Sequence, residues 1–264
     1  MPATSLHLQA FSDEVTEAEA GDSDDEEPPP KKWTLSARSS IMSNQFRNGV
    51  QVSNNQPTLT GGLRVTHSAG AYGSITGTRR LGANGFYQQT NLLAGYTYSA
   101  ADYCDLYADY TYFIYPNDDV NLFATATSLI SAGASFYTPV MDIDVILDRY
   151  LGTDDASFVT LNFSRYIGIG EDEDLSVSPM FSVSVTRFEV TTARAKRLNL
   201  PAQQKWGLSS VSLDAAVNYA LGKGFSASLD PMYLITFIGV NPAKASNRTS
   251  QFVITAGMRY AFKF

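Results

Sequence analysis

Aspartates at short, even spacing are the residues of this sequence with the clearest capacity for chemistry. Asp105 and Asp109 lie four residues apart, and Asp142 and Asp144 lie two apart. Because side chains at even spacing share one face of a β-strand, each pair predicts a local concentration of carboxylates. Such groups can act as acid and base, attract cations or line a water-filled space. Clustered carboxylates are common without catalysis, so these pairs alone do not indicate an enzyme.

The residues that usually accompany catalytic or metal-binding carboxylates are scarce. The chain has two histidines, His7 and His67, and a single cysteine, Cys104. Neither histidine is flanked by a nucleophile pattern, and one cysteine provides neither an intrachain disulfide nor a cysteine-based metal site. We therefore predict a protein that is not an enzyme and that has no catalytic residues, no metal site and no cofactor.

The composition limits the fold class before any element is assigned. Of the 264 residues, 17% are charged and 44% are hydrophobic, and no run of about eighteen apolar residues occurs. The chain contains 15 tyrosines, 15 phenylalanines and 19 glycines. This supply of aromatic residues and glycines suits the aromatic girdles and close packing of a membrane barrel.

The first 32 residues differ in character from the rest. Nine acidic residues lie between Asp13 and Glu27, and three prolines and two lysines follow them. Such a segment buries too little apolar surface to fold alone. We predict a disordered acidic tail over 1–32, acting as a solvated linker or as a plug, and one folded domain over 33–264. No secretory leader is visible, so we expect that a leader is missing from this numbering.

The final fifteen residues, Ser250 to Phe264, carry the clearest structural pattern. Every second side chain counted back from the terminus is apolar or aromatic, and those between are mostly small or polar. The alternating apolar residues are Phe264, Phe262, Tyr260, Met258, Ala256, Ile254 and Phe252. A period of two predicts a strand with one apolar face. Its length and aromatic end favour a strand that spans a bilayer over an edge strand of a soluble sandwich.

Eleven further alternating segments precede this one, so the sequence predicts an all-β fold, a transmembrane antiparallel up-and-down β-barrel of about twelve strands. The predicted strands are 33–43, 57–67, 71–80, 86–98, 103–114, 123–137, 141–150, 157–167, 175–187, 209–221, 225–238 and 250–264. Short and longer connections alternate along the chain, as periplasmic turns and external loops do in such barrels. An even strand count then places both termini on the periplasmic side.

The end of the chain resembles a known signal. Gly257, Tyr260, Phe262 and Phe264 follow the pattern Gly-x-x-Tyr-x-Phe-x-Phe, which looks like the C-terminal assembly signal of bacterial outer-membrane β-barrel proteins. The resemblance implies a location in the bacterial outer membrane. It also implies contact with outer-membrane lipid and lipopolysaccharide, and insertion by the barrel-assembly machinery.

A second resemblance lies near the start of the predicted barrel. The runs 43–49 and 54–63 are similar to the first hairpin of the TorF-type porin family, with departures at Asn44, Asn48 and Thr60. It covers about thirty residues. What it implies is an outer-membrane barrel with a porin-like role.

The polar face of each predicted strand should line the interior, with hydroxyl, amide and charged groups and few bulky apolar ones. The charged residues predicted to line a pore are Arg38, Arg64, Asp105, Asp109, Asp142, Asp144, Asp214, Asp230 and Arg259. Because the last strand closes on the first, the arginines should share one wall. We expect Asp105, Asp109, Asp142 and Asp144 on the far wall, and the other two aspartates nearer the closure. These charges would either act on passing ions or pair with each other in a closed lumen.

The expected function is passive diffusion of small hydrophilic solutes through an outer-membrane channel. The alternative is a structural barrel that does not conduct and serves as an anchor or partner in an envelope complex. We expect no nucleic-acid partner. A homo-oligomer and an envelope protein partner both stay open.

Overall fold

The computed structural model describes residues 32–44, 46–47, 50–51, 56–81, 88–114, 126–152, 155–170, 174–189, 203–237 and 249–263. The predicted tail and most of the longer predicted loops lie outside these ranges. Within them, no helix is long and apolar enough to cross a membrane.

All regular elements in the described ranges are β-strands, as the period of two predicts. They are β1 (Trp33–Met42), β2 (Phe46–Arg47), β3 (Val50–Gln51), β4 (Thr58–His67), β5 (Ala71–Arg80), β6 (Gln88–Ala101), β7 (Cys104–Ile114), β8 (Ala126–Tyr137), β9 (Asp142–Gly152), β10 (Asp155–Ser164), β11 (Ile167–Ile169), β12 (Leu175–Glu189), β13 (Gln203–Gly222), β14 (Phe225–Thr236) and β15 (Thr249–Lys263). The strands β2 and β3 form a separate two-stranded hairpin within the first predicted loop.

The remaining strands form one closed antiparallel sheet. Each strand pairs with its neighbours along the chain, β1 pairs with β15, and β10 pairs with β12. The barrel therefore has twelve strands and an additional short one, β11. This confirms the predicted all-β, up-and-down barrel, in which each of the twelve longer strands is paired on both sides.

Side chains alternate between an exposed outer face and a buried or half-buried inner face on most strands. The outer face carries large apolar side chains at mid-strand, including Leu63, Ile75, Ile130, Leu147, Leu213, Leu229 and Met258. Many exposed aromatic side chains lie toward the end with the short turns, and others, including Tyr112, Trp206 and Phe252, lie toward the longer loops. Those near the short turns are Trp33, Tyr98, Tyr103, Phe136, Tyr219, Phe225, Tyr260 and Phe262. An apolar band with an aromatic border is the surface that a bilayer-spanning barrel presents to lipid.

Two short turns explain how successive strands reverse direction. Gly70 has a φ of 97° and a backbone N–H bonded to the His67 carbonyl at 2.9 Å. Gly224 has a φ of 80°, and an added Cβ would lie 2.3 Å from the Ala261 carbonyl oxygen. Both positions need glycine because other residues rarely adopt such a φ and because no side chain fits there.

The strand that was predicted over 157–167 is interrupted near its end. The β10 ladder stops at Ser164, paired with Met180, and β11 resumes it at Ile167, paired with Val177, in an unchanged register. Pro179 of β12 lies opposite Arg165, the first residue of the gap, and has no N–H to donate to the ladder. The extra strand β11 is thus the continuation of β10 past a proline.

The connection that was predicted over 188–208 is shorter than expected. The strand β12 extends to Glu189 and β13 begins at Gln203, before the predicted start of that strand at Ser209. Register shifts in the β12–β13 ladder, after Ser184 and Thr186, break the alternation on which the predicted boundary rested.

Candidate functional site in the barrel interior

Three arginines lie together where the first and last strands of the barrel meet. Arg38 on β1 is directly opposite Arg259 on β15. Arg64 lies on the adjoining strand β4, two residues from Gly62, the β4 partner of Arg38. All three arginines belong to the half-buried inner face of their strands. We call the inner face of β15, β1 and β4 the cationic wall.

Three aspartates share the inner face of β9, which lies six strands from β1 in either direction around the sheet. Asp144 and Asp148 are buried and Asp142 is half-buried. The Ser135 hydroxyl donates to Asp144 Oδ1, and the Ser131 hydroxyl donates to Asp148 Oδ1, both at 2.6 Å. Charge-assisted bonds of this length fix the carboxylates in place. This face, which we call the acidic wall, is the part of the interior most distant from Arg38 along the sheet.

The two aspartates of β7 lie between these walls. The Tyr137 hydroxyl donates to Asp105 Oδ2 at 3.0 Å, and the Tyr72 hydroxyl donates to Asp109 Oδ2 at 3.3 Å. The guanidinium carbon of Arg64 lies 4.3 Å from the centre of the Tyr72 ring, a cation–π distance. We expected Asp109 on the far wall, but one tyrosine links it to the cationic wall.

Glycines on the inner face make room for two of the interior tyrosines. A Cβ added at Gly95 would lie 2.5 Å from Tyr72 Cζ, and one added at Gly133 would lie 2.5 Å from Tyr107 Cζ. Real Cβ atoms do not approach so closely, so both rings depend on the missing side chain. Tyr72 is not among the interior residues predicted from the sequence. The alternation of 71–80, which puts Tyr72 on the polar face with Thr76 and Thr78, was the signal that could have found it.

The remaining aspartates lie on β13 and β14. Asp214 is paired in register with Met232, and Asp230 with Thr255 of β15. Both aspartates are half-buried on the inner face. They occupy the side of the closure that borders the cationic wall, where the sequence analysis expected them.

The interior is not polar throughout. Met42, Met232, Leu234 and Val253 form a buried apolar cluster on β1, β14 and β15. On the opposite side, the Tyr150 ring lies 6.1 Å from Phe113 and 5.7 Å from Phe158 between ring centres. Both groups lie toward the end of the barrel with the longer loops. The expectation of few bulky apolar groups inside was therefore wrong for this end.

The residues that resemble an assembly signal divide between the two faces of β15. Gly257 faces inward, beside Ser228, and Tyr260 and Phe262 are exposed on the outer face. Phe264 lies outside the described residues. His67 contacts the Trp33 ring at 4.4 Å between ring centres and accepts a hydrogen bond from the Ala69 N–H through Nδ1.

Across the described ranges, no group of three or more histidine, cysteine and acidic side chains is placed to hold a metal ion.

Comparisons with known proteins extend the fold assignment. No family model matches the chain. No curated protein matches it either. Among solved structures, the chain is similar to the KdgM porin, with a TM-score of 0.52 at 8% identity over 87% of this chain and 99% of that one. It is also similar to the translocator domain of the autotransporter NalP from Neisseria meningitidis, with a TM-score of 0.52 at 13% identity over 98% of this chain and 95% of that one.

A third likeness is to an outer-membrane channel from Pseudomonas putida F1, with a TM-score of 0.50 at 13% identity over 92% of this chain and all 100% of that one. At identities this low, the structural likeness shows a shared fold alone. That fold is a closed antiparallel β-barrel, which the porin, the translocator domain and the channel share with this chain.

Proposed function

We propose that the protein is a bacterial outer-membrane channel, similar to a porin, through which small hydrophilic solutes diffuse passively. The observation that carries this proposal is the interior of the barrel, where a cationic wall of three arginines and an acidic wall on β9 lie six strands apart. Opposed walls of this kind create a transverse field that acts on ions and dipolar solutes.

The pairing of Arg38 with Arg259 supports a hydrated interior. Like charges directly opposite each other on neighbouring strands destabilise a sheet. In a dry medium their repulsion and the desolvation of each guanidinium would be severe. Water lowers both costs, so two arginines in direct register favour a water-filled space on this side of the barrel.

The outer face supports the membrane location. It presents apolar side chains at mid-strand with aromatic residues toward the short turns, and lipopolysaccharide and lipid are its proposed neighbours. The start of β1 and the end of β15 lie on the side of the short turns, which we assign to the periplasm. On this orientation Gly257, Tyr260, Phe262 and Phe264 would be read by the barrel-assembly machinery.

Single-channel recording of the purified protein in a planar bilayer tests the proposal. A channel gives discrete current steps in simple salt solution. Absence of current from protein that is folded in the bilayer would contradict the proposal and leave the non-conducting structural barrel. The same recording with residues 1–31 deleted shows whether the acidic tail reduces conductance.

Reversal potentials in a salt gradient test the two walls. Replacing Arg38 and Arg64 together with serine should shift selectivity toward cations, because two permanent positive charges leave the pore. Replacing Asp109 and Asp144 together with asparagine should shift it toward anions. Both shifts should shrink at high salt because mobile ions screen the charges.

A matched control removes arginines from the outer face. Arg79 and Arg149 are exposed there, and replacing both with serine should leave the reversal potential close to that of the wild type. If the Arg38 and Arg64 variant behaves like this control while current persists, the cationic wall does not act on the passing ions.

A further inference from the structure

Three polar side chains form one row on the inner face of neighbouring strands. Asp144 on β9 is paired in register with Asn162 on β10, and Asn162 is paired in turn with Ser182 on β12. They are buried, with exposed fractions of 2%, 1% and 4%. The row includes Asp144 of the acidic wall and lies opposite the cationic wall.

Each member of the row has hydrogen-bonding capacity that no described residue uses. The atoms without a hydrogen-bond partner are Asp144 Oδ2, both Asn162 Oδ1 and Nδ2, and Ser182 Oγ. Leaving a buried polar atom unpaired costs about 1–3 kcal/mol. Four such atoms in one row are therefore a strong indication that a ligand or solvent belongs there.

Two polar groups next to the row are paired, so the unpaired atoms do not reflect a general loss of hydrogen bonds on this face. Ser184, two residues from Ser182 on the same face, shares a hydrogen bond of 2.7 Å with Thr160. The other oxygen of Asp144 accepts its bond from Ser135 at 2.6 Å. Asp230 Oδ1 on β14 is likewise without a hydrogen-bond partner, but among the described residues four such atoms fall in one register row only here.

The unpaired atoms restrict the chemistry of the ligand. Asp144 Oδ2 and Asn162 Oδ1 accept hydrogen bonds, Asn162 Nδ2 donates, and Ser182 Oγ does both. A metal cation would leave the Asn162 donor unused, and an anion would be repelled by Asp144. Hydroxyl groups both donate and accept, and so match the whole set.

The dimensions favour a ligand with several hydroxyl groups. Neighbouring strands lie about 4.8 Å apart, so side chains on three successive strands span about 10 Å. One water molecule cannot reach all of these atoms, whereas a ring that carries adjacent hydroxyl groups can. Resting on the proposed channel function, we propose that Asp144, Asn162 and Ser182 form a binding subsite for a neutral saccharide or similar polyol along the diffusion path.

Equilibrium binding to the full-length protein in detergent tests the subsite. Maltotriose is the probe, titrated by calorimetry, and a polyethylene glycol of similar mass is the control for size. We expect binding of maltotriose and none of the glycol. Replacing Ser182 with alanine should weaken binding about threefold to tenfold, the effect of one lost neutral hydrogen bond. Asn162→Leu should weaken it more, because two groups are lost.

Ser184→Ala is the matched control, since its hydroxyl lies on the same face but is already paired with Thr160. It should leave maltotriose affinity within about twofold of the wild type. Equal losses from Ser182→Ala and Ser184→Ala would overturn the proposal, as would no binding of maltotriose at all. If affinity is insensitive to Ser182→Ala, the row binds water only and the proposal also fails.

The titration needs no ion current, so it separates the two proposals. Protein that binds maltotriose in the expected order of variants but carries no current retains the subsite and refutes the channel. Protein that conducts but does not bind maltotriose retains the channel and refutes the subsite.

Discussion

The outer and inner faces of β15 follow one alternation but obey different requirements. On the outer face, Phe252 and Met258 are exposed by 62% and 57%, whereas inward-facing Val253 is fully buried at 0%. The outer side chains need only an apolar medium, and any large apolar residue suffices. The inner side chains need particular partners on other strands, and Arg259 opposite Arg38 is one such case.

Because of this difference, similar substitutions on the two faces should change the stability of the barrel by different amounts. A change on the outer face is governed by its depth in lipid. A change on the inner face is governed by the neighbours that it meets, by hydrogen bonds and by the space left by glycine. Matched substitutions on the two faces can therefore test whether the faces differ in this way.

The largest effect is expected from a charge on the outer face. Replacing Met258 with arginine near the middle of the apolar band should cost about 2–4 kcal/mol of unfolding free energy, because the guanidinium enters hydrocarbon. Urea unfolding of the protein in phospholipid vesicles measures this loss.

The control for Met258→Arg is the same new side chain on the inner face. Ser228 lies on the inner face of β14, paired with Gly257, where a guanidinium would remain in water. Ser228→Arg should cost less than Met258→Arg, because its guanidinium does not enter hydrocarbon. Equal losses from the two variants would mean that the outer face does not lie in lipid.

A smaller effect is expected from added volume on the inner face. A Cβ at Gly95 would lie 2.5 Å from Tyr72 Cζ and 2.6 Å from Asp109 Cβ, whereas one at Gly77, on the outer face, meets no described atom within 4 Å. Gly95→Ala should cost about 1–3 kcal/mol, the usual range for overpacking. Gly77→Ala should fall within about 0.5 kcal/mol of the wild type. Urea unfolding of both variants in phospholipid vesicles measures the two losses of unfolding free energy. A larger loss from Gly77→Ala than from Gly95→Ala would contradict this prediction.

The outer face explains why so much of the fold could be predicted from sequence. The membrane-facing side of each strand can be identified from the alternation of apolar residues within that strand alone. Met258 and Phe262, for example, belong to the alternating apolar residues that predict the last strand. No knowledge of neighbouring strands is needed for this step. The twelve predicted strands correspond to the twelve strands of the barrel, with β11 as a continuation of the eighth.

The inner face could be predicted only in part. Alternation indicated that Arg64 and Asp109 face inward, but their link through Tyr72 depends on residues 37 positions apart in the sequence. The apolar cluster of Met42 and Val253 was missed because single apolar residues on a polar face carry no periodic signal. Whether the side-chain atoms of Asn162 find hydrogen-bond partners depends on the residues that lie opposite it. These residues cannot be identified from the sequence until the strand register is known.

The smallest effect is expected from one hydroxyl group on the inner face. Tyr72 donates to Asp109 at 3.3 Å while its ring contacts Arg64 at 4.3 Å. Tyr72→Phe keeps the ring and removes only the hydrogen bond, leaving a buried carboxylate oxygen without this donor. Because the bond is long, we expect a loss of about 1 kcal/mol, near the low end for bonds to charged groups.

Tyr110→Phe supplies the matched change on the outer face, where the Tyr110 side chain is 46% exposed. Removing a hydroxyl group there should not lower the unfolding free energy, because an apolar ring suits the surface that faces lipid. A loss from Tyr72→Phe together with none from Tyr110→Phe would show that a single polar atom matters on one face and not on the other. Equal responses in vesicle unfolding would show that Tyr72 acts through its ring alone, by packing in the space beside Gly95 and under Arg64.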